Sequence, residues 1–215
     1  MTDQQKVLKC QRSTFMSIEE IDEAALSHID TGEPLMYADG SEVPLGIATG
    51  VGGEWNDAGL LIYFRGRFEK LRTDPAQHLH AYGKTQRLWE KADVYEIFIG
   101  PDARDTFRYR EFQISPDGRF FDNDVHRKLG ISNHHWYSGM ECRSFVDHEM
   151  GIWTSVAALP WNALGGRTGT GALYDVNFYR ASGTYHGDQL MAWSPTGYGE
   201  KCFHRPELFG VLECV

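Results

Sequence analysis

The sequence predicts an all-β protein, an antiparallel β-sandwich or barrel with one short helix near its N-terminus. Its 215 residues include 12 Phe, 10 Tyr and 6 Trp, and aromatic residues are enriched in strands. Its 23 glycines supply turn signals between short β-prone segments. No segment has the strand-then-helix alternation of a doubly wound fold, so we expect a single domain over residues 1–215.

The predicted helix begins at Ser17. Ser17 and Glu20 have the spacing of a capping box, in which the serine caps the helix and the glutamate reaches back to it. Residues 160–164, which start with Pro and precede two glycines, predict one further helical turn. The apolar residues that then fall on one face of the first helix are Ile18, Ile21, Ala25 and Ile29.

Seven short β-prone segments account for most of the remaining chain. Gly, Pro and Asp clusters separate them, which is typical of an antiparallel sandwich or barrel. The His-rich stretch 123–139 is interpreted as a long loop inside the domain. The predicted strands are 60–68, 94–99, 109–115, 152–159, 173–181, 189–193 and 208–214.

Composition excludes several classes of partner. The net charge of −9 and the pI of about 5.4 argue against nucleic acid and anionic membranes, because both attract a basic surface. The first five residues lack the apolar core of a signal peptide, so the sequence as given predicts a cytoplasmic protein, or an exported one whose signal peptide has been removed. The cysteines lack metal or redox spacing and are expected to be free thiols, with a Cys202–Cys214 bridge only in an exported protein.

Polar side chains interrupt the predicted strands. Glu96 shares a strand face with Val94 and Phe98, and a carboxylate there is costly unless it is paired or hydrogen-bonded. Either Glu96 pairs with a buried arginine, or it lines a concave polar patch. Two other strands carry polar rows that are either solvated faces or hydrogen-bonding surfaces for a hydroxyl-rich ligand: Tyr109, Glu111, Gln113 and Ser115, and Asp175, Asn177 and Tyr179.

Catalytic motifs are weak. His78 with His80, or His134 with His135, offers paired metal ligands but no acidic or cysteine partner at ligand spacing. No nucleophile elbow is present, and the glycines at 50–53 are not followed by the helix of a dinucleotide site. Two alternatives stay open: hydrolysis or lysis of glycans, and haem binding. The first would use Glu96 with Glu111 or with His126, His134 or His135, and the second would use a histidine with Met140, Met150 or Met191.

Six segments in order resemble the family 9 carbohydrate-binding modules. The resemblance covers residues 45–215, and the first 45 residues look like an extension packed on that domain. It implies a jelly-roll β-sandwich that binds glucose-like sugars without catalysis, in a family usually attached to secreted glycosidases that degrade polysaccharides. The segments are LWEKADVYEIFI (88–99), YREFQISPDG (109–118), ALPW (158–161), VNFYR (176–180), AWSP (192–195) and FHRPELFG (203–210).

The resemblance also implies a sugar site made of two aromatic rings that clamp one sugar ring, with polar groups on its hydroxyls. Trp89 matches the first ring and Phe203 the second, where family members have Trp. Glu96 matches the acidic hydroxyl acceptor. Gln113 stands at a position that is basic in the family. The remaining matches are Asn177, which is an Asn in the family too, and Tyr179, which replaces an amide.

Many family members also hold structural calcium. Part of that site is an acidic residue after the strand that corresponds to residues 60–64. Here Arg65, Gly66 and Arg67 follow instead, so no cofactor is expected. The expected partner is a mono- or oligosaccharide.

Overall fold

The computed structural model describes residues 5–73, 84–101, 104–166, 168–182, 189–198 and 202–215. Strands make up 45% of these described residues and helical residues 13%. One α-helix is present in this part of the chain, α1 (Glu23–His28), and none of its helices is long and apolar enough to span a membrane. The strands are β1 (Val7–Arg12), β2 (Glu33–Pro34), β3 (Met36–Tyr37), β4 (Thr49–Trp55), β5 (Gly59–Arg67), β6 (Val94–Ile99), β7 (Arg108–Ile114), β8 (Phe120–His126), β9 (Ile131–Asn133), β10 (Glu141–Asp147), β11 (Ile152–Pro160), β12 (Leu173–Ser182), β13 (Gln189–Ala192) and β14 (Gly210–Cys214).

The strands form one large curled sheet whose two halves pack face to face, as the predicted β-sandwich requires. The order is β10-β11-β5-β4-β1-β14-β12-β6-β7-β8-β9, and β13 adds to β12. Neighbours pair antiparallel except β1, which pairs parallel with β14 along one part and with β4 along another. The N-terminal strand therefore joins the two halves of the sheet.

All seven predicted strands are present, and their ends differ from the expected ones by two residues or fewer. The stretch 123–139, interpreted above as a loop, is partly strand: β8 runs through its first residues and β9 follows. That interpretation was wrong because β8 carries Asp122 on its core-facing side, which hides the alternation of apolar residues. The predicted turn at 160–164 is confirmed as the 3-10 helix Trp161–Leu164, which ends at Gly165 with φ 82°.

The expected helix at Ser17 is divided in two. A 3-10 turn covers Ile18–Glu20, and Ser17 makes no side-chain cap. The Glu20 carboxylate instead accepts a hydrogen bond from the backbone N–H of Met16 at 3.1 Å. Helix α1 begins only after Asp22, whose Oδ1 accepts from the N–H of Ala25 at 2.8 Å. Asp22 therefore takes the capping role that the sequence pattern assigned to Ser17.

The core between the two halves is aromatic and contains one buried arginine. The Tyr95 ring stacks on Trp153 at 3.7 Å and on Phe64 at 4.7 Å between ring centroids. Arg180 of β12 is 1% exposed. Its Nη1 donates to Thr49 Oγ1 at 2.7 Å and to two carbonyl oxygens of the opposite half, Ile47 O at 3.1 Å and Arg67 O at 2.7 Å. Most of the aromatic side chains in the sequence therefore pack in the interior.

Two glycines of β4 allow a close crossing of backbones. A Cβ at Gly50 would lie 1.9 Å from Thr31 O, and one at Gly52 would lie 1.9 Å from Asp30 O. No side chain fits at that distance, so the segment before β2 can cross β4 only because these residues are glycine. The glycines at 50–53 thus have a packing role.

The four cysteines are free, as expected. Cys214 does not face Cys202; its register partner is Cys10 on the parallel strand β1, and both side chains are buried. Burial raises the pKa of the Cys214 thiol to about 11, which keeps it protonated.

Candidate functional site

The face of β12, β6, β7 and β8 that points away from the core carries the predicted polar residues. Strand register places Tyr179 beside Glu96 and Glu96 beside Gln113. Glu111 lies two residues before Gln113 on the same face of β7, and Asn123 is its register partner on β8. We call Glu96, Gln113, Glu111 and Asn123 the polar row.

Hydrogen bonds link three members of the polar row. Glu111 accepts from Gln113 Nε2 at 2.8 Å and from Asn123 Nδ2 at 3.1 Å. Asn123 Nδ2 also donates to Ser132 Oγ at 3.0 Å, and Ser132 Oγ lies 2.9 Å from His134 Nε2. The chain of contacts therefore runs from a buried carboxylate to a histidine near the surface.

All four side chains of the polar row are buried. Exposed fractions are 4% for Glu96, 5% for Glu111, 1% for Gln113 and 2% for Asn123. Burial and the nearby charge of Glu111 raise the pKa of Glu96 well above its usual range. Burial raises the pKa of Glu111 to about 7, although its hydrogen bonds from Asn123 and Gln113 and the charge of Lys84 oppose the shift.

Of the two interpretations of Glu96, the described residues support the polar patch. The buried arginine that could have paired with it is Arg180, which lies on the opposite face of β12 and bonds across the core. No described lysine or arginine forms an ion pair with Glu96 or Glu111. Two buried oxygens of the row, Gln113 Oε1 and Asn123 Oδ1, accept no hydrogen bond from a described residue.

Aromatic clusters flank the polar row on two sides. Trp89 lies in the 3-10 turn Leu88–Glu90, half-buried, with its ring 5.5 Å from that of Phe121. Phe203 belongs to a separate cluster around Phe98 and Tyr179. The two rings matched to a sugar clamp thus lie on opposite sides of the polar row.

Phe203 is more buried than an open platform would be. Its ring stacks on Tyr179 at 4.1 Å and 22°, and it is 8% exposed. The Tyr179 hydroxyl donates to the Phe203 carbonyl oxygen at 2.9 Å. The Tyr179 ring therefore packs against the Phe203 ring, and the Tyr179 hydroxyl is already hydrogen-bonded.

Asn177 lies on the same face, but its side-chain amide is hydrogen-bonded to backbone groups. Its Nδ2 donates to Ser194 O at 2.7 Å, and its Oδ1 accepts from the N–H groups of Ser194 and Phe178 at 2.8 and 2.9 Å. These bonds hold the segment after β13 against β12. Asn177 thus shapes the edge of the face rather than offering free polar groups.

Sequence reasoning missed two residues of this face. Asn123 was hidden in the supposed loop, which is strand β8 in the structure. His204, next to the matched Phe203, lies with its ring 5.2 Å from Phe98 and its Nδ1 2.5 Å from the Tyr109 hydroxyl. Its position depends on contacts 95 residues apart in sequence, which no local pattern shows.

The other candidate residues are dispersed. His126 lies on the opposite face of β8, 2.9 Å from Asp105, and His135 is exposed. His78 and His80 lie outside the described residues. Within the described ranges, no three His, Cys, Asp or Glu side chains form a group that could hold a metal. Of the methionines, Met140 and Met191 are packed in the core, and Met150 is exposed.

The raised pKa of Glu111 predicts that stability falls as pH rises. The folded protein holds this proton up to a pH of about 7, whereas the unfolded chain loses it near the ordinary value of 4.5. Between these values the folded state binds more protons, so the free energy of unfolding should fall with pH, by an amount on the order of 2–3 kcal/mol. Urea unfolding at pH 5 and pH 7.5 measures the change.

Two variants test the cause. Glu111→Gln should reduce this pH dependence to the part that the raised pKa of Glu96 contributes, whereas Glu141→Gln, at an exposed position on β10, should leave it unaltered. A wild-type stability that rises over this range, or an unchanged slope in Glu111→Gln, would contradict the assignment.

The fold is a β-sandwich like that of carbohydrate-binding modules. No family model matches the chain, and no curated protein matches it. It is similar to the crystal structure of a candidate carbohydrate-binding protein from Bacteroides uniformis, with a TM-score of 0.73, 19% identity and coverage of 98% of this chain and 100% of that one.

Two further similar structures are family 9 modules from Caldicellulosiruptor kristjanssonii. One, in complex with glucose, has a TM-score of 0.61 and 9% identity, with 98% of this chain and 96% of that chain covered. The other, in complex with cellotriose, has a TM-score of 0.60 and 10% identity, with 97% and 93% covered. The resemblance inferred from the ordered motifs is confirmed at the level of the fold.

Proposed function

We propose that this protein binds glucose-like sugars or glycan ends, without catalysis, at the polar row between Trp89 and Phe203. The observation that carries the proposal is the buried polar row on a sheet face flanked by two aromatic clusters. Structural neighbours crystallised with glucose and with cellotriose support it. Non-catalytic binding is also the function implied by the ordered motifs.

The chemistry of the row suits a sugar. The C–H faces of a sugar ring are weakly positive and stack on aromatic faces, as cations do. Hydroxyl groups donate to carboxylate and amide oxygens, and Glu96 and Gln113 lie side by side in register to receive them. Buried acceptors such as Gln113 Oε1 are costly without a partner, which a hydroxyl would supply.

Calorimetric titration tests the proposal directly. Glucose, cellobiose, xylobiose and galactose, each to tens of millimolar, should include at least one ligand that gives saturable heats. Heats that stay flat with all four sugars would overturn the proposal.

Replacing Trp89 by Ala should weaken sugar binding by about tenfold or more, because an aromatic stacking partner is worth on the order of 1–2 kcal/mol beyond its area. The ring is half-buried at the edge of the fold, so the variant should still fold. Phe145→Ala is the control, since Phe145 is also half-buried but lies on β10, in the other half of the sheet. Equal affinities for both variants and the wild type would place the sugar elsewhere.

A second candidate function, glycan hydrolysis, is favoured by one observation. Glu96 and Glu111 share a face, and both have raised pKa values, as general acids do. Incubation with a glycan panel should then release product, and Glu96→Gln should abolish the release. Saturable binding with no turnover favours the binding function alone.

A further inference from the structure

The polar row presents hydrogen-bond acceptors and has used most of its donors. Gln113 Nε2 donates one N–H to Glu111, and Asn123 Nδ2 donates to both Glu111 and Ser132. The Tyr179 hydroxyl donates to a backbone carbonyl oxygen. What remains is the Glu96 carboxyl group together with Gln113 Oε1 and Asn123 Oδ1, two buried oxygens to which no described residue donates. The two amide oxygens can only accept, so a ligand for this surface must bring donors.

The two carboxyl groups of this surface have no described cation paired with them. The described strand residues of this face include no lysine or arginine. Lys84, whose charge lies near Glu111, is already paired with Asp122 at 2.5 Å on the core side of β8. Arg108 and Arg110 both pair with Asp124, which also lies on the opposite face of that strand. Glu96 and Glu111 therefore share this face without a counter-ion, and the raised pKa of Glu96 means that the pair holds a proton.

We infer that the preferred ligand of the polar row is a sugar that carries a free, protonated amino group. The inference rests on the proposed sugar binding and goes further by naming the class of sugar. Gln113 contributes to the row an amide oxygen to which no described residue donates. An ammonium group supplies several donors and no acceptor, and its charge sits between the two carboxylates.

Physical reasons favour the amino sugar over its neutral analogue. A hydrogen bond between an ammonium and a carboxylate is charge-assisted and about twice as strong as a neutral one. The cation also stabilises the ionised forms of Glu96 and Glu111, so the pair can release the proton that burial makes it hold, and a neutral hydroxyl gives no such stabilisation. The net charge of −9 adds weak long-range attraction for a cationic ligand.

Titration with three matched sugars tests the inference. Glucosamine, glucose and N-acetylglucosamine are compared at pH 7, below the pKa of about 8 of an amine with electron-withdrawing neighbours, such as an α-amino group. Glucosamine should bind about tenfold or more tighter than glucose. N-acetylglucosamine, whose nitrogen is uncharged, should show no such gain.

The outcomes separate this inference from the proposed function. If glucose binds as tightly as glucosamine, the amino-sugar preference is wrong and sugar binding stands. If N-acetylglucosamine shares the gain of glucosamine, the charge is not the cause and the inference is overturned. If all three sugars give flat heats, the proposed function fails, and the inference fails with it.

Variants identify the residues responsible. The glucosamine-to-glucose ratio of affinities, measured within one variant, should fall to near 1 in Glu111→Gln, and Glu96→Gln provides a second test if the first does not fold. Glu141→Gln, exposed on β10, removes the same charge far from the face and should keep the wild-type ratio. A tenfold ratio retained in both polar-row variants would refute the role of these carboxylates.

Discussion

Replacing Asp122 by Asn is expected to lower the free energy of unfolding by about 3–5 kcal/mol, the usual cost of breaking a buried ion pair from one side. Asp122 is fully buried and Lys84 is 3% exposed. Lys84 Nζ lies 2.5 Å from Asp122 Oδ1 and donates to Trp136 O at 2.6 Å. The other oxygen, Asp122 Oδ2, accepts from the backbone N–H and the hydroxyl of Ser138 at 2.8 and 2.6 Å. The asparagine would leave the lysine charge buried without its counter-ion.

Asp57→Asn is the matched control because it makes the same chemical change in an exposed pair. Asp57 pairs with Arg12 at 2.8 Å, but the two side chains are 71% and 54% exposed. A pair of this kind contributes about 0–1 kcal/mol. Denaturant unfolding of both variants gives the comparison. A loss below about 1 kcal/mol for Asp122→Asn, or equal losses for the two variants, would contradict the role assigned to the buried pair.

The same ion pair bears on the proposed binding face. Lys84 begins the described segment that leads to Trp89, and its backbone pairs with Phe120 at the start of β8. The Lys84–Asp122 pair therefore fixes this segment to the sheet just before the turn that carries the tryptophan. We expect Asp122→Asn to weaken sugar binding as well, through the position of Trp89.

Replacing Arg180 by Met should destabilise the fold by about 3 kcal/mol or more, because each buried polar group left without a partner costs roughly 1–3 kcal/mol. Methionine fills a similar volume but cannot donate. The groups that lose a donor are the carbonyl oxygens of Ile47 and Arg67 and the hydroxyl groups of Thr49 and Ser182. These acceptors belong to both halves of the sheet, so the loss should appear as lower global stability.

Arg65→Met provides the comparison for this variant. Arg65 is only half-buried, and its Nη1 donates to Ser27 O at 3.1 Å. Its replacement should cost less than about 1 kcal/mol, since water can replace one exposed bond. Thermal and denaturant unfolding of both variants measure the difference. Similar stabilities for the two would show that Arg180 is not essential to the contact between the halves.

Local pattern was enough to predict β6, β7 and β12. β6 is an aromatic and β-branched run broken only at Glu96, and β7 and β12 each contain alternating apolar positions. That information lies within each segment. The unfavourable position of Glu96 was visible for the same reason. β8 was not predicted because Asp122 occupies a core position that is tolerable only beside Lys84, 38 residues earlier in the sequence.

The sequence by itself determined the fold class, most strand positions and the residue types of the candidate site. Only the tertiary structure decided that Glu96 and Glu111 share one face, that Arg180 bonds across the core instead of to Glu96, and that Phe203 packs on Tyr179. The physical reason is the separation in sequence over which each kind of interaction acts. Alternation and turn chemistry act between neighbours in the chain, whereas strand register and burial bring together residues that no local pattern connects.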